Sequence, residues 1–183
     1  NYLKHSIGSW RGKPFILESW QREGIIMPLF SWVLPNGCRR FRQASLWMPK
    51  KNGKSALASG LSLYFLTSDG EGRPNILAAG VDRKQASVVY DEAVQMKLSS
   101  PELNSRLRDM ASSKTLLYEA VAGSFKAISG EVNSNEGYNA SAIICDEIHA
   151  WTNRKLWDVL LYAGISRKQP MTISLSTAGF NIY

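Results

Sequence analysis

Cysteine is scarce. The two in 183 residues, Cys38 and Cys145, are too few for a disulfide framework or a cysteine-based metal centre, and Cys145 sits inside the apolar run "SAIIC" (141–145). Both read as free thiols of a reducing compartment. No apolar run reaches the roughly 18–20 residues that a membrane-spanning helix needs. The start, "NYLKHSIGSWRGK", has no apolar core of the signal-peptide kind, so the chain is expected to be soluble and intracellular. No internal repeat or low-complexity tract is visible, which leaves out fibrous and disordered classes. Acidic residues are outnumbered, 15 against 22 basic ones, giving a net charge of +7 and a pI near 9.5. That excess favours a polyanionic partner such as nucleic acid or phosphate.

With 44% hydrophobic and 20% charged residues, the composition is that of a globular protein. A chain of this length can bury roughly 70% of its unfolded surface, so one domain spanning 1–183 is expected. It does not begin with methionine, and it stops just past a predicted core strand. The sheet is therefore expected to be cut short at its C-terminal end.

Short apolar runs bounded by polar or glycine-containing segments recur along the chain: "ASLWM" (44–48), "NILAAGV" (75–81), "SAIIC" (141–145) and "MTISLS" (171–176). Such runs read as parallel strands buried on both faces. Helical periodicity separates them in "RKQASVVYDEAVQMKL" (83–98) and "NRKLWDVLLYAG" (153–164). The alternation predicts an α/β fold with right-handed crossovers. A partly buried helix is expected to begin after Pro14 and end at the "PNG" turn (35–37), and two short strands are expected around Ala122-Gly123.

Between "ASLWM" and the next apolar run lies "MPKKNGKSAL" (48–57). A phosphate-binding loop needs a sharp strand-to-helix turn with inward amides, a glycine for close approach, a lysine for the terminal phosphates and a hydroxyl for Mg²⁺. Gly53, Lys54 and Ser55 supply the second half of that pattern, while Met48 stands where its first glycine belongs. Without more, the stretch is also an ordinary lysine-rich turn. A second element favours the loop. "SAIICDEIHAW" (141–151) ends an apolar strand in Asp146 and Glu147, at the edge of the sheet where ligands bind in open α/β folds. Asp146 can hold Mg²⁺ through its water shell, and Glu147 can orient or deprotonate an attacking water. The competing reading is a helix N-cap pair.

The ordered segments "GKPFILESWQ", "MPKKNGKSAL", "AAGVDRKQASVVYDEA", "ISGEVNSNEGYNASAIICDEIHAW" and "TISLSTAGF" together resemble the ATPase domain of the large terminase subunit of tailed bacteriophages, from about Gly12 onward. The resemblance implies a P-loop NTPase, a three-layer αβα sandwich with a mainly parallel sheet of the additional-strand, catalytic-glutamate type. It also implies ATP and Mg²⁺ as ligands. The family's loop commonly lacks the first glycine, so Met48 is no obstacle. By the same resemblance, Lys50, Lys51, Asn52, Gly53, Lys54, Ser55 and Ala56 would surround the phosphates, with Lys54 on the β- and γ-phosphates and Ser55 and Asp146 on the metal. Lys50 falls where many members carry arginine, and it lacks arginine's bidentate fork. Gln21 would read the adenine edge, against the plainer reading of a solvated helix position. Ser176, Thr177 and Ala178 resemble the motif that couples phosphate sensing to movement.

The partners so implied are double-stranded DNA, a ring of identical subunits, a portal and a small terminase subunit, with no membrane. The expected location is the host cytoplasm and, transiently, the procapsid. The family's nuclease domain is not expected in this chain. Two rivals stand beside this reading: a DExH-type helicase, which would share Asp146, Glu147 and His149, and a nucleotide-gated DNA-binding module without turnover. An arginine finger is sought among Arg83, Arg106, Arg108 or a residue beyond Tyr183, with no choice among them. The six tryptophans are expected to pack in the core or at a domain interface rather than to stack on bases. Arg39, Arg40 and Arg42 are read as a DNA-phosphate contact or a solvated edge.

Overall fold

The computed structural model describes residues 3–129, 137–151 and 154–177. Near the start, Lys4 and Pro14 form an antiparallel bridge, and the amide of Phe15 donates to the carbonyl of Leu3 at 2.9 Å. The segment after Pro14 is therefore extended, and the helix expected there begins only at Ser19. The reason is local: Glu18 and Gln21 form a reciprocal capping box, in which the Gln21 Oε1 accepts from the Glu18 amide at 3.0 Å and satisfies a free helix-end donor. From this cap α1 (Ser19–Gln21), a π-helical turn (Arg22–Ile26) and α2 (Met27–Ser31) run on without a break.

The remaining elements alternate as their periodicity predicts. They are β1 (Gln43–Trp47), α3 (Lys54–Thr67), β2 (Asn75–Gly80), α4 (Arg83–Leu98), α5 (Pro101–Arg106), β3 (Arg108–Met110), β4 (Thr115–Tyr118), β5 (Gly123–Ser129), β6 (Ala142–Cys145), α6 (Lys155–Ala163) and β7 (Met171–Ser176). They build a seven-stranded sheet in the order β1-β7-β6-β2-β5-β4-β3. The first five strands of that order run parallel, and β4 and β3 are antiparallel additions. The two short strands expected around Ala122-Gly123 are β4 and β5. Ala122 takes a left-handed conformation (φ 50°) at the turn between them.

Both faces of the central strands β2, β6 and β7 are covered, which explains why their runs lack strict alternation. Along β2, Ile76 and Ala78 face one core with Leu57, Leu61 and Phe65 of α3 and Val89, Tyr90 and Met96 of α4. Leu77 and Ala79 face the other, with Leu160 and Ala163 of α6, and Cys145 of β6. The fold is thus a three-layer αβα sandwich. Gly80 ends β2 against the first turn of α4, and a Cβ there would stand 2.5 Å from the Ala86 amide nitrogen. Asp82 caps the same turn by accepting from the Gln85 amide at 2.8 Å. Cys38 and Cys145 are buried free thiols, and burial pushes the Cys145 pKa up to about 12.

Two expectations need correction. Of the tryptophans expected in the core or at a domain interface, Trp151 and Trp157 pack edge-to-face, 6.4 Å apart, in the second core, but the core placement fails for Trp10, Trp20, Trp32 and Trp47, which are exposed in this chain. Trp47 shows why: β1 buries neither side fully, and its residues 43, 45 and 47 all face outward. Arg39 is neither a DNA contact nor a solvated residue. Its guanidinium is buried in an ion pair with Asp69, whose side chain is 3% exposed, and it lies over the rings of Phe30 and Phe65 at 5.9 and 5.7 Å. It also donates to the Gln169 carbonyl, so one side chain ties the end of α3 to the approaches of β1 and β7. Breaking a buried pair leaves an uncompensated charge. Arg39→Ala is therefore expected to lower the unfolding free energy by about 3–5 kcal/mol in urea denaturation, whereas the double replacement Arg39→Met with Asp69→Leu should recover most of it.

Candidate active site

Three strand ends meet at one edge of the sheet. Parallel pairing sets Trp47 of β1 beside Ser176 of β7, and Cys145 of β6 beside Ser174 of β7, so the segments leaving β1, β6 and β7 emerge side by side.

After β1 the amide of Met48 donates to the Ser176 carbonyl at 3.0 Å, and the Met48 side chain is buried. The residue that breaks the glycine pattern is thus an apolar anchor for the loop. Beyond it Lys50, Lys51 and Asn52 are exposed. Lys51 and Gly53 both adopt left-handed conformations, φ 68° and 72°, which turns the chain sharply into α3. At Gly53 this backbone, rather than crowding, requires glycine, since a Cβ would find its nearest neighbour, Gln21 Nε2, only at 3.8 Å. No side chain caps the N-terminus of α3, so the amides of its first turn, from Lys54, Ser55 and Ala56, stay available to an anion.

After β6 the amide of Asp146 donates to Ala79 at 3.0 Å, which holds the chain against β2. Glu147 then takes a left-handed backbone (φ 49°, ψ 48°), a conformation rare for a residue with a Cβ and one that gathers at functional sites. Its amide donates to Asp146 Oδ1 at 3.0 Å, and the Trp151 indole donates to the Asp146 carbonyl at 3.1 Å. A 3₁₀ turn over Ile148–Ala150 comes next.

The two segments close on one another through Lys54. Its ammonium is hydrogen-bonded to Glu147 Oε1 and lies 3.5 Å from Asp146 Oδ1, with Lys54 and Asp146 side chains 10% and 7% exposed. The other Glu147 oxygen, Oε2, accepts from Thr177 Oγ1 at 3.4 Å and stands 3.2 Å from His149 Nδ1. That nitrogen is 2.9 Å from Ser176 Oγ. Lys54, Asp146, Glu147, Ser176 and Thr177, singled out in the sequence, therefore form one cluster; Ala178 lies outside the described residues. Gln21 is buried beside the loop, not solvated, with its Oε1 engaged in the helix cap. Arg83 and Arg108 are engaged elsewhere, on the Ser112 carbonyl and on Glu119.

In the sequence His149 stands out only as the last member of a DExH pattern, and its contact with the end of β7 has no local signal. Burial raises the Asp146 pKa, an effect that the Lys54 ammonium opposes and the Glu147 carboxylate reinforces.

A metal ion fits this donor set in a particular way. Among the described residues no three His, Cys, Asp or Glu side chains gather as a metal cage. One buried carboxylate, Asp146, already attracts a cation, the Lys54 ammonium. A hydroxyl, Ser55, opens the neighbouring helix. Such a site suits Mg²⁺, which keeps much of its water and takes few protein oxygens when phosphates supply others.

A family model described as the ATPase domain of the terminase large subunit matches residues 19–182. The chain is 27% identical over 177 residues to the terminase large subunit of Enterobacteria phage HK97, covering 95% of this chain and 34% of that protein. It thus spans about a third of that curated relative's length. The crystal structure of the HK97 bacteriophage large terminase superposes with a TM-score of 0.81 at 25% identity, over 96% of this chain and 35% of that one. The Thermus phage P74-26 large terminase ATPase domain gives a TM-score of 0.61 at 16% identity, over 85% of this chain and 69% of that one, a likeness of fold alone.

Because the folded Asp146 carboxyl titrates above its ordinary value, its charge costs stability at neutral pH. That cost is relieved as the pH falls through the raised pKa. Asp146→Asn removes the charge and keeps an acceptor for the Glu147 amide. It is expected to melt above the parent protein at pH 7. In a series of thermal melts the gap should close on acidification.

Proposed function

The chain belongs to the terminase large-subunit ATPase family, and we propose that it hydrolyses ATP with Mg²⁺ to drive double-stranded DNA into a procapsid. The observation that carries this reading is the convergence of Lys54, Asp146 and Glu147 at the carboxyl ends of neighbouring parallel strands. In P-loop ATPases little covalent chemistry falls to the protein, and catalysis consists of positioning and charge stabilisation.

In this reading the loop Lys50-Lys51-Asn52-Gly53 and the first turn of α3, including Ala56, wrap the phosphates, and Lys54 moves from the two carboxylates onto the β- and γ-phosphates. Ser55 and Asp146 would hold Mg²⁺, which when bound would supply charge neutralisation. Glu147, released by Lys54, orients the attacking water and accepts its proton. Gln21 lies beside the loop, where its Nε2 supports an adenine-facing role, although its Oε1 is committed to Glu18. Ser176 and Thr177 already contact the Glu147–His149 pair, which supports a coupling role for them and for Ala178. The net charge of +7 suits a polyanionic track. A ring of identical subunits on a portal, a small terminase subunit as partner, and action in the host cytoplasm and transiently on the procapsid complete the proposal.

Steady-state hydrolysis with Mg²⁺, measured together with nucleotide binding, tests it. Glu147→Gln is expected to lower turnover by about 10²–10⁴-fold and to keep ATP binding, while Lys54→Ala should weaken binding itself. Chelation of Mg²⁺ should abolish turnover, and linear double-stranded DNA should stimulate it. Turnover unchanged in Glu147→Gln would overturn the assignment, and strand separation by the chain would favour the helicase reading.

A further inference from the structure

His149 lies two residues beyond Glu147, and its Nδ1 faces two groups at once: Glu147 Oε2 at 3.2 Å and Ser176 Oγ at 2.9 Å. Of the two neutral tautomers, only one satisfies both. A bare Nδ1 lone pair would oppose the carboxylate, so the hydrogen must sit on Nδ1 and be shared between the carboxylate and the serine oxygen. Ser176 Oγ then accepts from the imidazole and directs its own hydrogen to the Thr177 carbonyl, 3.4 Å away. The hydroxyl of Thr177 donates to the same Glu147 oxygen. The Ser176 branch ends on the Thr177 carbonyl, while the imidazole N–H and the Thr177 hydroxyl converge as separate donors on Glu147 Oε2.

We propose that His149 is a positioning residue that fixes the aim of Glu147 from the end of β7. Glu147 has two sets of partners: Lys54 on Oε1, and His149 with Thr177 on Oε2. When phosphates draw Lys54 away, the first set is lost and the second remains. His149 and Thr177 then determine where the carboxylate points, and both are placed by β7. Movement of that strand end is thereby transmitted to the water-activating group through the imidazole as well as through Thr177. The strained backbone of Glu147 makes this support necessary, because a left-handed residue in a short turn has no regular secondary structure to hold its side chain. The inference rests on the ATPase reading above and adds to it a residue whose contact reaches from the acidic turn to β7.

The test has two readouts. Imidazole nitrogen resonances of the nucleotide-free chain report the tautomer without any turnover, and with two histidines in the sequence, His5 and His149, the signal is assigned by its loss in His149→Asn. The hydrogen is expected on Nδ1, and Ser176→Ala and Glu147→Gln should each shift the resonance. Kinetics supply the second readout. His149→Ala should lower kcat by roughly 10–100-fold with KM within about 2-fold. Asn places an amide donor near the Nδ1 position and should restore much of kcat, whereas Gln, whose amide reaches toward Nε2, should not. The double variant His149→Ala with Ser176→Ala should cost little more than His149→Ala alone. A hydrogen found on Nε2, a kcat unchanged in His149→Ala, or equal rescue by Asn and Gln would each overturn the proposal. An Nδ1 tautomer coupled to Ser176 in a chain whose turnover ignores Glu147→Gln would instead overturn the ATPase reading, and the catalytic role of His149 with it.

Discussion

The contact between Lys54 and the Asp146–Glu147 pair is the interaction around which this molecule is arranged. It joins a loop after β1 to a turn after β6, groups 93 residues apart in the chain, and it does so in a nearly dry setting where charges interact strongly. An ammonium between two carboxylates offsets a repulsion that would otherwise open the site. In the proposed ATPase reading, phosphate would compete for this lysine and a cation for the aspartate.

The sheet supplies the geometry for this contact. The order β1-β7-β6 inserts β7 between the two strands that carry Lys54 and the acidic pair. Every relation between loop and acids thus passes over the end of β7. The backbone bond from Met48 to Ser176, and the side-chain bonds from Thr177 and His149 to Glu147, are consequences of that insertion. Helices on both faces keep the strand ends in register. Arg39, buried between aromatic rings and paired with Asp69, fastens the far end of α3, the helix whose first residue is Lys54. Rigid support at one end of α3 and an ion pair at the other leave the loop little freedom except in its exposed residues, Lys50 to Gly53.

Function here is set against stability at identifiable residues. Glu147 carries a left-handed backbone that most side chains avoid, and Asp146 keeps a carboxylate where burial disfavours its charge. Neither feature helps the chain fold. Each is tolerated because neighbours compensate: the Trp151 indole on the Asp146 carbonyl, the Ala79 carbonyl on its amide, and three side chains on Glu147. Strain that persists under such support leaves the Glu147 carboxylate held in one orientation, and in the proposed ATPase reading such preorganisation would lower the reorganisation needed during reaction.

Local sequence was enough for what local physics controls. Buried strands announced themselves as apolar runs, α4 as a helical period over 83–98, and the turn at Gly53 as a glycine before a lysine; these depend on propensity and periodicity within a few residues. The exposure of four tryptophans was not legible, because an aromatic residue looks the same in sequence whether its face of the sheet is covered or bare. Neither was the burial of Arg39, since a partner 30 residues away turns a surface-type residue into a core one. The union of Lys54 with Glu147, the left-handed turn at Glu147 and the reach of His149 to Ser176 were decided by tertiary structure alone. Only the pairing of β7 between β1 and β6 brings those groups within hydrogen-bonding distance, and strand order is a property of the whole sheet rather than of any segment in it.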